Sequence, residues 1–102
     1  MPAEPDDPPR RVLLVRLSAL GDVVHCLEAL AALRAALPSA EIAWLVEDRN
    51  AAVLEGHPHL DHVFVYARRA ARGLGVLGVS WRLRRRLRAF APDVAIDLQG
   101  NL

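Results

Sequence analysis

The stretch Arg16 to His25, "RLSALGDVVH", sets a serine, a glycine and an aspartate directly after an apolar run and directly before helical spacing. A carboxylate at such a strand-to-helix junction has two chemical roles open to it. In the first helical turn, Asp22 offsets the helix dipole, an effect of about 0.3–1 kcal/mol. Desolvated against a bound substrate, the same group takes a proton as a general base. Gly21 removes a side chain where backbone turns tightly or approaches a ligand, and Ser18 can cap the helix. The spacing is not GxGxxG and has no Gly-Lys pair, so it favours neither dinucleotide nor triphosphate binding.

A second set of residues carries charge. All 13 basic residues are arginine, so arginine counts partly reflect composition rather than site chemistry. The net charge of +1 hides a segregation, because residues 68–88 hold eight arginines and no acid. Arg68, Arg69 and Arg72 open that block. Planar guanidinium groups pair bidentately with carboxylates and phosphates, which a lysine cannot do; the plainer reading is a solvated loop. Further on, Trp81 stands among Arg82, Arg84, Arg85, Arg86 and Arg88. Such a face suits an anionic membrane surface, or is an ordinary exposed helix face packed through Leu83 and Leu87. Nucleic acid is not expected as a partner, since interleaved stacking aromatics are missing.

Other candidates read as structure. His57, His59 and His62 near Asp61 imitate a metal-ligand cluster, but Pro58 and the turn-like context point to a surface loop, and no metal site is expected. Cys26 is the one cysteine, so it forms no intrachain disulfide, and on an apolar helix face without a basic partner it reads as inert packing. Trp44 alternates with Ile42 and Val46 and reads as core.

These residues need a scaffold. Val12 to Leu17 is a nearly continuous apolar run, as in a parallel strand covered on both faces. Asp22 to Leu37 takes helical spacing, with Val23, Cys26, Leu27, Leu30, Leu33 and Leu37 on one face and Pro38 as the stop. Glu41 to Val46 is a second strand, Asp48 to Glu55 a short helix closed by Gly56, and His62 to Ala67 a third strand. A glycine-rich link, Gly73 to Gly78, precedes a helix over about Ser80 to Ala91 with Val79, Leu83, Leu87 and Phe90 in one stripe. Pro92 ends it, and Asp93 to Leu98 is the fourth strand. Strands alternating with helices over short connections predict an α/β fold, a Rossmann-like parallel sheet with flanking helices. In such sheets ligands bind beyond the carboxyl ends of the strands, where Ser18 to Asp22 and Arg68 to Arg72 fall. Residues 1–10, acidic and proline-rich, predict a flexible tail unlike a signal peptide, and residues 11–102 one partial domain. Ending just past a strand, the chain reads as a fragment.

Three spaced blocks carry a resemblance: S-x-x-G-D-V-x-H at Ser18 to His25, W-L-V-E at Trp44 to Glu47, and D-x-Q-G at Asp97 to Gly100. Over about Arg11 to Leu102 the chain resembles the N-terminal part of the ADP-heptose:lipopolysaccharide heptosyltransferases, most of all the heptosyltransferase I branch. The resemblance implies a GT-B fold, of which this is a partial N-terminal, acceptor-side domain with the donor-binding domain absent. It implies inverting transfer of heptose from ADP-heptose to the Kdo/heptose inner core of lipopolysaccharide, with no cofactor. The family's proposed general base falls on Asp22. Ser18, Leu20, Gly21 and Gln99 would lie near the reacting centre, and Arg68, Arg69 and Arg72 resemble an arginine cluster that contacts the acidic acceptor, Kdo-bearing lipid A. One departure is that Glu28 replaces a proline usual in the family. The location implied is cytoplasmic and peripheral at the inner membrane, and the isolated fragment is expected to be inactive. The alternative is a non-catalytic Rossmann-like module that binds anionic lipid, or less favourably nucleic acid, through the arginine-rich residues 68–88.

Overall fold

A computed structural model describes residues 7–67 and 75–98, the first six of the latter as backbone. The chain runs β1 (Arg11–Val15), α1 (Leu20–His25), α2 (Leu27–Ala36), β2 (Glu41–Glu47), a 3-10 helix (Asp48–Val53), β3 (His62–Tyr66), α3 (Gly75–Phe90) and β4 (Val94–Asp97). All four strands are parallel, in the order β3-β2-β1-β4. The α/β, Rossmann-like architecture expected from the sequence is the one observed.

Period-two alternation sends neighbouring side chains to opposite faces of the sheet. Val12, Leu14, Ile42, Trp44 and Val46 face Val23 of α1, Leu30 of α2 and Leu54 beyond the 3-10 helix. Leu13, Ala43 and Phe64 face the other way, against Phe90, Leu83 and Leu87 of α3. The central strands β1 and β2 are thus buried on both sides, which is why they read as continuous apolar runs. The six apolar positions expected on the first helical face all pack here, Val23 and Leu30 fully buried and Cys26, Leu27, Leu33 and Leu37 partly so.

Strand β1 ends at Val15, two residues before the end of its apolar run, and two helices differ from the spacing. The single helix expected from Asp22 to Leu37 starts at Leu20 and is broken at Cys26, whose N–H is shared between the carbonyls of Asp22 at 3.0 Å and Val23 at 3.1 Å. This tightening separates the short helix carrying Asp22 from the longer one behind it. Glu28 therefore lies in the first turn of α2, a place that tolerates proline and favours an acid through the helix dipole. In α3 the helix takes in Gly75 and Gly78, so part of the expected glycine-rich link is helical. Glycine weakens a helix by about 1 kcal/mol without forbidding it. Pro92 follows Ala91, which leaves α3 with a left-handed φ of 52°.

The opposite, amino-terminal edge of the sheet is latched by two carboxylates. Asp93 accepts from the N–H groups of Arg10 and Arg11 at 2.8 and 2.9 Å, and these backbone bonds lower its pKa. Asp61 accepts from the Ile42 N–H at 2.8 Å and from Arg34 at 2.7 Å. Burial works to raise the pKa of Asp61, but the Ile42 and Arg34 interactions outweigh it and the net shift is downward.

Candidate active site

The segment that follows β1 crosses the carboxyl ends of the strands and is held there by main-chain bonds. The Arg16 N–H donates to the Leu45 carbonyl at 3.3 Å. The Leu17 carbonyl accepts from the Glu47 N–H at 3.1 Å and from the Asn50 side-chain amide at 3.0 Å. Glu47 and Asn50 are themselves buried, so the W-L-V-E strand end and the 3-10 helix form the wall against which this segment rests.

Helix α1 starts at Leu20, with Ala19 in the N-cap position and no side-chain cap. The cap expected from Ser18 is therefore not made; the serine lies one residue too early and is half-buried. The Ala19 carbonyl accepts from the Val23 N–H at 2.9 Å instead. Gly21 sits within the first turn, and a Cβ built on it meets nothing within 4 Å. No tight turn requires a glycine there; a side chain at that position would point into open space. Leu20 beside it is 48% exposed.

Asp22 stands in the same turn with 57% of its side-chain surface open. One oxygen, Oδ2, lies 2.6 Å from a terminal nitrogen of Arg16, a side chain only 15% exposed. The other terminal nitrogen of Arg16 donates to the Leu98 carbonyl at 2.9 Å. A planar guanidinium thus ties the end of β4 to the carboxylate on α1. Sequence spacing points to Asp22 but passes over Arg16, whose one available signal was a lone charge inside the apolar run VLLVRL.

The remaining candidates separate. Arg68, Arg69, Arg72 and Gln99, with Gly100, lie outside the described residues. The strands that lead to them, β3 and β4, are the two outer strands, in register with β2 at Tyr66–Glu47 and with β1 at Asp97–Val15. His57 and His59 form ordinary loop contacts, His57 Nδ1 accepting from the His59 N–H at 3.2 Å and the His59 carbonyl accepting from Arg34, whereas His62 opens β3 and pairs with Glu41 at the start of β2. Among the described residues no group of three or more His, Cys, Asp or Glu side chains comes together as a metal site. Trp81 is 61% exposed, with the Arg85 guanidinium 5.3 Å from its ring centre, and Arg82, Arg84, Arg86 and Arg88 are exposed as well. No described helix is long and apolar enough to cross a membrane.

Comparison with known proteins decides what kind of sheet this is. Over 96 residues, 90% of the chain, it is 38% identical to lipopolysaccharide heptosyltransferase 1 of Pseudomonas aeruginosa, and over 94 residues 33% identical to that of Escherichia coli K12. Over the part of their length that it spans, the chain is similar to the lipopolysaccharide heptosyltransferases. The E. coli heptosyltransferase WaaC with ADP superposes with a TM-score of 0.75 at 32% identity, over 85% of this chain and 28% of that one. The same enzyme with ADP-2-deoxy-2-fluoro heptose gives 0.74. A family 9 glycosyl transferase from Veillonella parvula, at 24% identity and a TM-score of 0.73, shares the fold. No protein-family model matches the chain. The chain spans between a quarter and a third of the length of these heptosyltransferase relatives, 27% of the Pseudomonas protein and 30% of the E. coli one.

Proposed function

We propose that this chain is the acceptor-side part of an inverting glycosyltransferase that moves heptose from ADP-heptose to the Kdo/heptose inner core of lipopolysaccharide. Residues 11–102 form part of its N-terminal domain, residues 1–10 a tail, and a second domain grips most of the donor. Support comes from the heptosyltransferase relatives, two of whose structures hold ADP or an ADP-heptose analogue. The single observation that carries the mechanism is a half-open carboxylate, Asp22, at the carboxyl end of the sheet, where open parallel sheets bind ligands.

In this mechanism an acceptor hydroxyl attacks the anomeric carbon of the heptose as its bond to the diphosphate breaks. Asp22 takes the hydroxyl proton, and ADP leaves from the opposite face with the bonding electron pair. One carboxylate suffices because a diphosphate is already a good leaving group, and no resident cofactor is required. Leu20 and Gly21 border the reacting atoms, Ser18 and Gln99 flank them, and the absence of a side chain at Gly21 leaves room for the sugar. Arg68, Arg69 and Arg72 bind the carboxylates and phosphates of Kdo-bearing lipid A by bidentate pairing. The enzyme works at the inner, cytoplasmic face of the membrane as a peripheral protein.

The test is to incubate a full-length protein containing this chain with ADP-heptose and Kdo-lipid A and to follow ADP release and heptosylated product. Turnover by the full-length protein and none by the 102-residue chain is expected. No product from the full-length protein rejects the assignment, and turnover by the isolated chain rejects the division of labour between two domains.

A second reading draws on the exposed Trp81 and arginines of α3. In it the chain is a non-catalytic module docking on anionic lipid. Salt-sensitive binding to phosphatidylglycerol vesicles, unchanged by Asp22→Asn, with no sugar transfer by the full-length protein, favours it.

A further inference from the structure

We infer that Arg16 is a positioning residue for Asp22: its guanidinium, fixed on the Leu98 carbonyl at the end of β4, holds one oxygen of the Asp22 carboxylate so that the other faces the open side of the sheet. The inference rests on Asp22 being the base.

Three observations lead to it. First, Asp22 has few other constraints. It stands on a helix of six residues without a side-chain cap, and most of its side chain is open, so its carboxylate would otherwise sample several rotamers. Second, Arg16 is placed where an arginine is expensive. Its side chain is largely buried at the end of the central strand, and its Nε is buried without a partner among the described residues. An orphaned buried donor is destabilising, and a well-packed apolar residue usually serves a fold at least as well as a buried ion pair. Third, the two terminal nitrogens go to different elements, one to Leu98 at 2.9 Å and one to Asp22 at 2.6 Å. The rigid fork converts a fixed point on the sheet into a fixed position for a carboxylate on the first turn of α1; lysine, with one ammonium, cannot hold both partners with the same geometry.

Placement matters because proton transfer needs hydrogen-bond reach between base and hydroxyl. With Oδ2 held by the guanidinium, Oδ1 is the oxygen that meets the acceptor hydroxyl. Arg16 itself does not touch substrate.

The experiment is a double-mutant cycle in the full-length transferase, with ADP-heptose and Kdo-lipid A as substrates. Arg16→Met should lower kcat about 10²-fold, the scale of loss for a displaced catalytic group, while KM for both substrates stays within about twofold. Asp22→Asn should lower kcat about 10²–10⁴-fold. In the double variant, Arg16→Met should add no loss to that of Asp22→Asn, because a residue acting only through Asp22 has nothing left to act through. Arg16→Lys should fold, keep the positive charge, and still lose about tenfold in kcat; it carries the test if Arg16→Met shows no cooperative thermal melt.

Wild-type turnover by Arg16→Met or by Arg16→Lys, with Asp22→Asn inactive, overturns the positioning role and leaves Asp22 as the base. Losses that multiply in the double variant do the same, because they show Arg16 acting on something other than Asp22. Undiminished turnover by Asp22→Asn removes the base, and the positioning role falls with it.

Discussion

The indole N–H of Trp44 donates to the main-chain carbonyl of Arg16 at 3.1 Å. The largest fully buried side chain of the core therefore helps to fasten the residue that touches Asp22, and the packing of β2 reaches the proposed base through this hydrogen bond and the Arg16–Asp22 ion pair. Trp44→Phe keeps an aromatic ring but leaves that carbonyl without its donor. A loss of about 1–3 kcal/mol is expected, measured by urea unfolding followed by circular dichroism. In the full-length protein kcat should fall as well, since the segment holding Arg16 loosens. Unchanged stability would show that the bond does not hold the segment.

Gly21 separates what the fold needs from what the chemistry needs. A Cβ at this position meets nothing, and alanine is the better helix former by up to about 1 kcal/mol. Gly21→Ala should therefore raise the melting temperature slightly. Where a sugar approaches this backbone, the same methyl group obstructs it, so heptose transfer should drop by at least about tenfold, the scale of one misplaced contact of about 1.4 kcal/mol. A more stable variant with full turnover would move the reacting centre away from Gly21.

The carboxylates that latch the sheet give the fold an acid limit. Asp61 and Asp93 both have pKa values lowered from 3.8 by hydrogen bonding in the folded state. A group whose folded pKa lies below its unfolded one binds fewer protons folded than unfolded, so the stability it supplies is complete above the unfolded value. That stability is lost as the pH falls from about 5 through 3.8 towards the depressed folded values. Thermal melts between pH 7 and pH 3 should show a steep loss at the acid end, and Asp93→Asn should flatten it. A melting curve equally steep in Asp93→Asn and wild type would contradict the latch.

Ala91 offers a test of the end of α3. Its left-handed φ of 52° is unfavourable for any residue with a Cβ. Ala91→Gly should stabilise the chain by up to about 1 kcal/mol, read as a rise in melting temperature; a fall would mean that the methyl group is used in packing.

Much of this structure is written in residue spacing. Continuous apolar runs at Val12 to Leu14 and Ile42 to Val46 mark strands covered on both faces, and helical spacing from Val23 to Leu37 marks the helix face that packs on one of them. What spacing does not carry is side-chain pairing between distant elements. The break at Cys26 depends on one shared N–H, the failure of Ser18 to cap depends on a one-residue offset, and the Arg16 bridge joins residues 16, 22 and 98, which only the parallel pairing of β1 with β4 brings together. The lone arginine in VLLVRL was visible, but its partners follow from topology.

The kcat of Asp22→Asn in the full-length protein, with ADP-heptose and Kdo-lipid A, is the measurement nearest to the central claim. The substitution keeps the size of the side chain and removes its capacity to take a proton. If Asp22 is the base, kcat falls about 10²–10⁴-fold, while KM for both substrates changes little. Turnover within a factor of about two of wild type would contradict it, because a proton acceptor cannot be lost from the transition state at so small a cost.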